Sequence, residues 1–129
     1  MSELRAVLDL PLGQHAATDA RHAVEAVLRS WDLSSPAWLF DAVLVVSELV
    51  TNAIRHAGGC LELRLTAHDR QVTISVADGT SVIPRRRASD TAGGRGLTLI
   101  EAAAQEWGVE DHHGGKRVWV RMPPCPAPD

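Results

Sequence analysis

Glu48, Asn52 and His56 follow one another at steps of four in the stretch "SELVTNAIRHA" (47–57). Four residues are about one helical turn, so a carboxylate, a carboxamide and an imidazole fall along one stripe of a helix. The stretch closes a very apolar run, "WLFDAVLVV", which could have continued with aliphatic residues alone. A carboxamide oxygen is a neutral, hard ligand that suits Mg²⁺, a cation that keeps several waters and borrows phosphate oxygens. A carboxylate one turn away can hold one of those waters or take the proton of an attacking hydroxyl. A solvated edge of an ordinary amphipathic helix has the same spacing, and this helix alone does not separate the two readings.

Two further stretches carry chemistry. "VADG" puts Asp78 at the end of an alternating apolar run, where a carboxylate can accept a hydrogen bond from an exocyclic amine such as that of adenine. Asp-Gly is also an ordinary turn dipeptide. "GGRGL" (93–97) comes before a helical pattern. Glycines there allow close backbone approach, and free N–H groups at a helix start favour phosphate. Capping loops use glycine too, and no GxxxxGK[ST] phosphate loop is present.

The elements that must position these residues follow from periodicity. "LRAVLDLP" (4–11) reads as a short strand ended by proline. Ala20, Val24, Val27, Leu28 and Trp31 recur at helical spacing, which predicts a helix over 14–31. "DLSSP" breaks it, with Ser34 or Ser35 as N-cap and Pro36 early in the next helix, which runs to Ala57 and stops at Gly58-Gly59. Its core side is Leu39, Ala42, Val43, Val46, Leu49, Val50, Ala53 and Ile54, with the polar stripe on another face. "CLELRLTA" and "VTISVAD" alternate with period two and predict an antiparallel hairpin about the turn "DRQ". Residues 79–94 are too long for a plain connection and read as a functional lid or disorder. "LTLIEAAAQEW" predicts a helix over 97–107, "GVED" a small strand, and "KRVWVRM" a last strand. This order predicts an α/β (α+β) two-layer sandwich, its mostly antiparallel sheet covered by helices on one face.

Composition narrows the field. The 129 residues predict a single domain over 1–122, with a disordered proline-rich tail at 123–129 ("PPCPAPD"). A net charge of −3 and only five aromatic residues, four Trp and one Phe, argue against direct nucleic-acid binding. The N-terminus "MSELRAVLDL" lacks an apolar signal region, and no stretch reads as long enough for a membrane span. Cys60 and Cys125 show no metal-type pairing and read as free thiols of a reducing cytoplasm.

Together the stretches come in a definite order: helix with Glu-x3-Asn, strand ending in Asp-Gly, long lid, then Gly-x-Gly-Leu and a helix. In that order the sequence resembles the GHKL ATP-binding superfamily, and within it the small stand-alone anti-sigma-factor serine/threonine kinases of bacteria. "VVSELVTNAIRHA" is similar to the N box, "VADG" to the first glycine box and "GGRGLTLI" to the second, a resemblance that covers 14–122. It implies the Bergerat ATP-binding fold and the cofactors ATP and Mg²⁺. It implies that Asn52 ligates Mg²⁺ and that Glu48 is the general base toward a serine or threonine of an anti-sigma-factor antagonist. It implies too that Asp78, with Gly79 behind it, reads the adenine amino group. The resemblance further implies that Gly94 and Gly96 let the lid fold over the phosphates and that Leu97 starts the supporting helix, with Arg95 a candidate phosphate contact and His56 either near the phosphates or a structural histidine. A sigma factor is the second implied partner, and relatives often act as homodimers.

Some residues depart from that pattern. The first glycine box lacks its later glycine, since Asp78 is followed by Gly79-Thr80-Ser81-Val82. Lys116-Arg117 replace a family threonine before the last strand. No phospho-accepting histidine helix precedes the domain, which disfavours a histidine kinase. "PRRR" (84–87) reads as a solvated loop, a phosphate clamp or a contact to an acidic partner. "DHH" (111–113) reads as ordinary surface residues, two His lacking a matching ligand set. Two functions stay open: a protein kinase, supported by Glu48, or a nucleotide-dependent anti-sigma factor or adaptor without kinase activity, supported by the altered glycine box.

Overall fold

The computed structural model of the protein describes residues 3–9, 15–57, 62–78, 99–112 and 115–127, with the backbone alone at 55–57, 78 and 111–112. Strand β1 (Glu3–Leu8) leads to helices α1 (Ala16–Ser30) and α2 (Pro36–Ala57). The hairpin β2 (Glu62–His68) and β3 (Gln71–Asp78) follows, and then β4 (Glu106–His112) and β5 (Gly115–Arg121). The strands form one sheet in the order β1-β2-β3-β5-β4. Every neighbouring pair is antiparallel, so the described sheet has no parallel member.

The helix ends are set locally. Asp32 adopts φ 61, and behind it Leu33 N–H donates to Leu28 O at 2.9 Å while Asp32 N–H donates to Arg29 O at 3.1 Å. These two bonds make a Schellman closure, sealed by the burial of both Leu28 and Leu33. Ser35 is the N-cap of α2: its carbonyl accepts from Leu39 N–H at 2.8 Å, and Pro36 takes the first helical position, where no N–H is missed.

Alternation along the strands gives the sheet two unlike faces. Leu63, Leu65 and Ala67 on β2, Val72, Ile74 and Val76 on β3, and Val118 and Val120 on β5 are buried with Ala20, Val24 and Leu28 of α1 and Ala42, Val45, Val46, Leu49 and Val50 of α2. Burial of this set supplies the main folding drive, at roughly 25 cal/mol per Å² of apolar surface. Contrary to the sequence reading, residues 36–54 are long and apolar enough to cross a membrane, with a mean hydropathy of 1.6. Half of that stretch is buried within the fold, as the central helix of a core requires.

The opposite face of the sheet is polar and tightly tied. Arg117 is 4% exposed there; its Nη1 donates to Ser75 Oγ at 2.8 Å and its Nη2 to Glu62 Oε1 at 2.5 Å. Arg64 Nη2 joins the same carboxylate oxygen at 2.9 Å. Farther along, Trp119 crosses Gly108, and a Cβ at 108 would stand 2.6 Å from the indole Cζ2. Glycine at this position lets the ring lie against the neighbouring strand.

Two further expectations are corrected. The helix expected to reach residue 107 ends at 103. Ala104 N–H makes the last helical bond, to Ile100 O at 2.8 Å, and Gln105 N–H turns to Arg121 O at 2.8 Å. Pairing with β5 then overrides the helical propensity of "AAAQEW". Likewise residues 123–127, expected to be unfolded, lie against the β2–β3 turn. Cys125 is 2% exposed, and Arg70 donates to the carbonyls of Cys125 at 2.7 Å and Pro126 at 2.8 Å. Prolines 123, 124 and 126 have no N–H to satisfy, and the one donor between them, Cys125 N–H, is met by Arg70 O at 2.8 Å.

Candidate functional site

The buried side of α2 changes character at its C-terminal end. Val45 and Leu49 belong to the core, and three residues past Leu49 the same side presents Asn52, only 9% exposed. The reading of the whole polar stripe as a solvated edge is thereby overturned at Asn52. Burying a carboxamide costs about 1–3 kcal/mol wherever its hydrogen bonds are not replaced, so a helix optimised for packing alone would put an aliphatic residue here. Glu48, one turn earlier, is half-buried at the margin of the core. Beside it Ser47 Oγ accepts from Arg21 Nη1 at 3.2 Å, and Arg21 Nη2 reaches Thr18 Oγ1 at 3.2 Å. This link fixes the turn bearing Glu48 against α1. His56 lies in the last helical turn, and its side chain is outside the described residues.

Connectivity brings the end of α2 to one end of the sheet. Only 58–61 separate α2 from β2, and so short a link spans at most about 18 Å. The start of β2 pairs with the end of β3, Glu62 opposite Ala77. Asp78, the last residue of β3, therefore lies at the sheet end to which Asn52 and Glu48 lead. By alternation position 78 belongs to the row of Ile74 and Val76, the row that meets the helices. The chain leaves Asp78 for 79–98 and returns through a helical segment at 99–103 whose Ile100 is fully buried. Gly79, Gly94, Arg95, Gly96 and Leu97, and the arginine run at 84–87, lie outside the described residues.

The sequence reading treated Lys116 and Arg117 as one substitution, and the sheet separates them. Arg117 belongs to the outer face with Ser75 and Glu62. Lys116 belongs to the row of Val118 and Val120, is 4% exposed, and is the register partner of Asp78. Strand alternation could have assigned Lys116 to the inner row, but its pairing with Asp78 needs the β3–β5 register, and those strands are far apart in sequence. Among the described residues no group of three or more His, Cys, Asp or Glu side chains is gathered as a metal site. A cation held by one carboxamide and by phosphate oxygens needs no such cluster.

Comparison with known proteins agrees with this fold. The family model described as histidine kinase-like ATPase domain matches residues 11–122. The crystal structure of the RsbU and RsbW domains of Rv1364c from Mycobacterium tuberculosis is similar, with a TM-score of 0.62 and 23% identity over 96% of this chain. This chain covers 34% of that one. The SiaB-SiaC complex from Pseudomonas aeruginosa is similar with a TM-score of 0.62 and 14% identity, over 91% of this chain and 87% of that one. At these identities the likeness to both structures is one of fold. No curated protein matches the sequence.

Proposed function

Because this chain belongs to the histidine kinase-like ATPase domain family, we propose that it is an ATP–Mg²⁺-dependent regulatory protein kinase acting on a serine or threonine of a small anti-sigma-factor antagonist. The observation that carries this reading is Asn52: a buried carboxamide on the core side of α2, at the sheet end where β3 delivers Asp78. Partner domains and a partner protein in the two similar structures support a role among other regulators, here with a sigma factor as the second partner.

The donor set fits the cofactors. Asn52 would hold Mg²⁺ through its carboxamide oxygen, and Asp78 would accept from the exocyclic amine of the base. Mg²⁺, when bound, offsets the charge of the β- and γ-phosphates. Glu48 would take the proton of the partner hydroxyl as that oxygen attacked the γ-phosphorus, with ADP as the leaving group. The half-burial of Glu48 suits a group that must meet a protein substrate from outside. Gly94, Arg95, Gly96 and Leu97 would close over the phosphates, with His56 at the same end of α2.

A second reading, a nucleotide-dependent anti-sigma factor or adaptor without phosphoryl transfer, is favoured by "DGTSV" (78–82), which lacks the later glycine of the first box. Calorimetric titration with ATP, with and without Mg²⁺, tests the shared premise. Mg²⁺-assisted binding is expected, and absence of ATP binding overturns both readings. Transfer of labelled γ-phosphate to an antagonist protein then separates kinase from adaptor.

A further inference from the structure

A lysine at 4% exposure is unusual, since an ammonium is almost never fully buried unless it is paired. Lys116 lies in the inner row of β5, with Val118 and Val120. Its register partner on one side is Asp78 of β3 and on the other Asp111 of β4, because β5 runs between those strands. Directly opposed residues of an antiparallel pair have Cβ atoms about 4.5–5.5 Å apart, so the register sets position 116 beside position 78, the position assigned to the base. Arg117, the next cation, is committed to Ser75 and Glu62 on the other face.

We propose that Lys116 is a base-specificity residue that widens the nucleotide site from adenine to guanine, an inference that rests on the nucleotide-site reading given above. An ionised carboxylate only accepts hydrogen bonds and an ammonium only donates them. A carboxylate alone matches adenine, whose amine donates, and repels guanine, whose O6 is a second acceptor. An ammonium beside it removes that mismatch. With adenine, Asp78 takes the amine and Lys116 donates to N7. With guanine, Lys116 donates to O6 on the same edge and Asp78 takes the N1–H. Each base then meets one donor and one acceptor at these two positions, and O6 no longer faces a carboxylate alone.

The test is titration of the full chain with ATP and with GTP, for the natural protein and for Lys116→Met, which keeps the stem and removes the charge. The natural protein is expected to bind GTP within about tenfold of ATP, and Lys116→Met to lose GTP affinity at least tenfold more than ATP affinity, the order of one unpaired buried acceptor. A preference for ATP beyond tenfold in the natural protein overturns the inference without any variant being needed. So does an unchanged ATP-to-GTP ratio in Lys116→Met, which makes Lys116 a cross-strand partner of Asp111 with no part in base reading. 7-Deaza-ATP adds a check in the natural protein: loss of affinity relative to ATP supports the contact to N7, and equal affinity overturns it. Failure to bind either nucleotide overturns the nucleotide-site reading itself, a result distinct from any change in ratio.

Discussion

Leu49 and Asn52 occupy the same buried side of α2 one turn apart, one an aliphatic core residue and the other a carboxamide at 9% exposure. If the carboxamide is there for a ligand, the fold does not need it. Asn52→Leu is then expected to leave stability unchanged or raise it by up to about 1 kcal/mol, as substitutions at strained functional positions often do. The same variant is expected to lose Mg²⁺-assisted ATP binding. Thermal melts and calorimetry on one preparation check both; a large loss of stability would show that Asn52 serves the fold.

Glu48 is the residue that separates a kinase from a nucleotide-gated adaptor. Glu48→Gln keeps the size of the side chain and one acceptor oxygen and removes its basicity. ATP affinity should hold within about threefold, while phosphoryl transfer to an antagonist protein should fall by about 10²–10⁴, the range for loss of a general base. An unchanged transfer rate would remove Glu48 from the chemistry.

Glu62 supports the site from the other face of the sheet. Its carboxylate holds Arg117 and Arg64, and Arg117 is almost wholly buried. Glu62→Ala leaves a buried guanidinium without its counter-charge, so stability should fall by on the order of 3 kcal/mol. Replacing Arg117 as well, by Met, should recover part of the loss. Chemical denaturation of Glu62→Ala, Arg117→Met and the double variant measures this, and additive losses would refute the coupling.

Much of this arrangement was legible in the sequence because it is local. The period-two runs of β2 and β3, the Ser35–Pro36 start of α2, and the step-of-four stripe are each written within a few residues. The end of the third helix was not legible, because Gln105 N–H is taken by Arg121 O, sixteen residues on and across the sheet. Nor was the split between Lys116 and Arg117, which needs the register of two strands separated by the long 79–98 segment. The stripe was read as one face, yet helical geometry placed Asn52 beside the core and Glu48 at its margin. Only burial distinguishes these, and burial depends on what the helix packs against.

The proline-rich end gives the sharpest contrast between composition and structure. A "PPCPAP" segment forms neither helix nor strand, which is why it reads as disordered. Its carbonyls remain strong acceptors, and the fold supplies the donors: Trp38 Nε1 meets Pro123 O at 2.6 Å, and Arg70 meets Cys125 O and Pro126 O. The segment thus links the start of α2, through Trp38, to the β2–β3 turn. A chain ending at Met122 exposes Trp38 and leaves its indole N–H and the Arg70 guanidinium to water. With net contributions near 1 kcal/mol for each lost hydrogen bond, stability should fall by about 2–4 kcal/mol. Trp38→Phe in the full chain removes one of those bonds and should cost about 1 kcal/mol. Denaturant unfolding of the truncated and full chains checks this, and equal midpoints would restore the reading of the end as an unstructured tail.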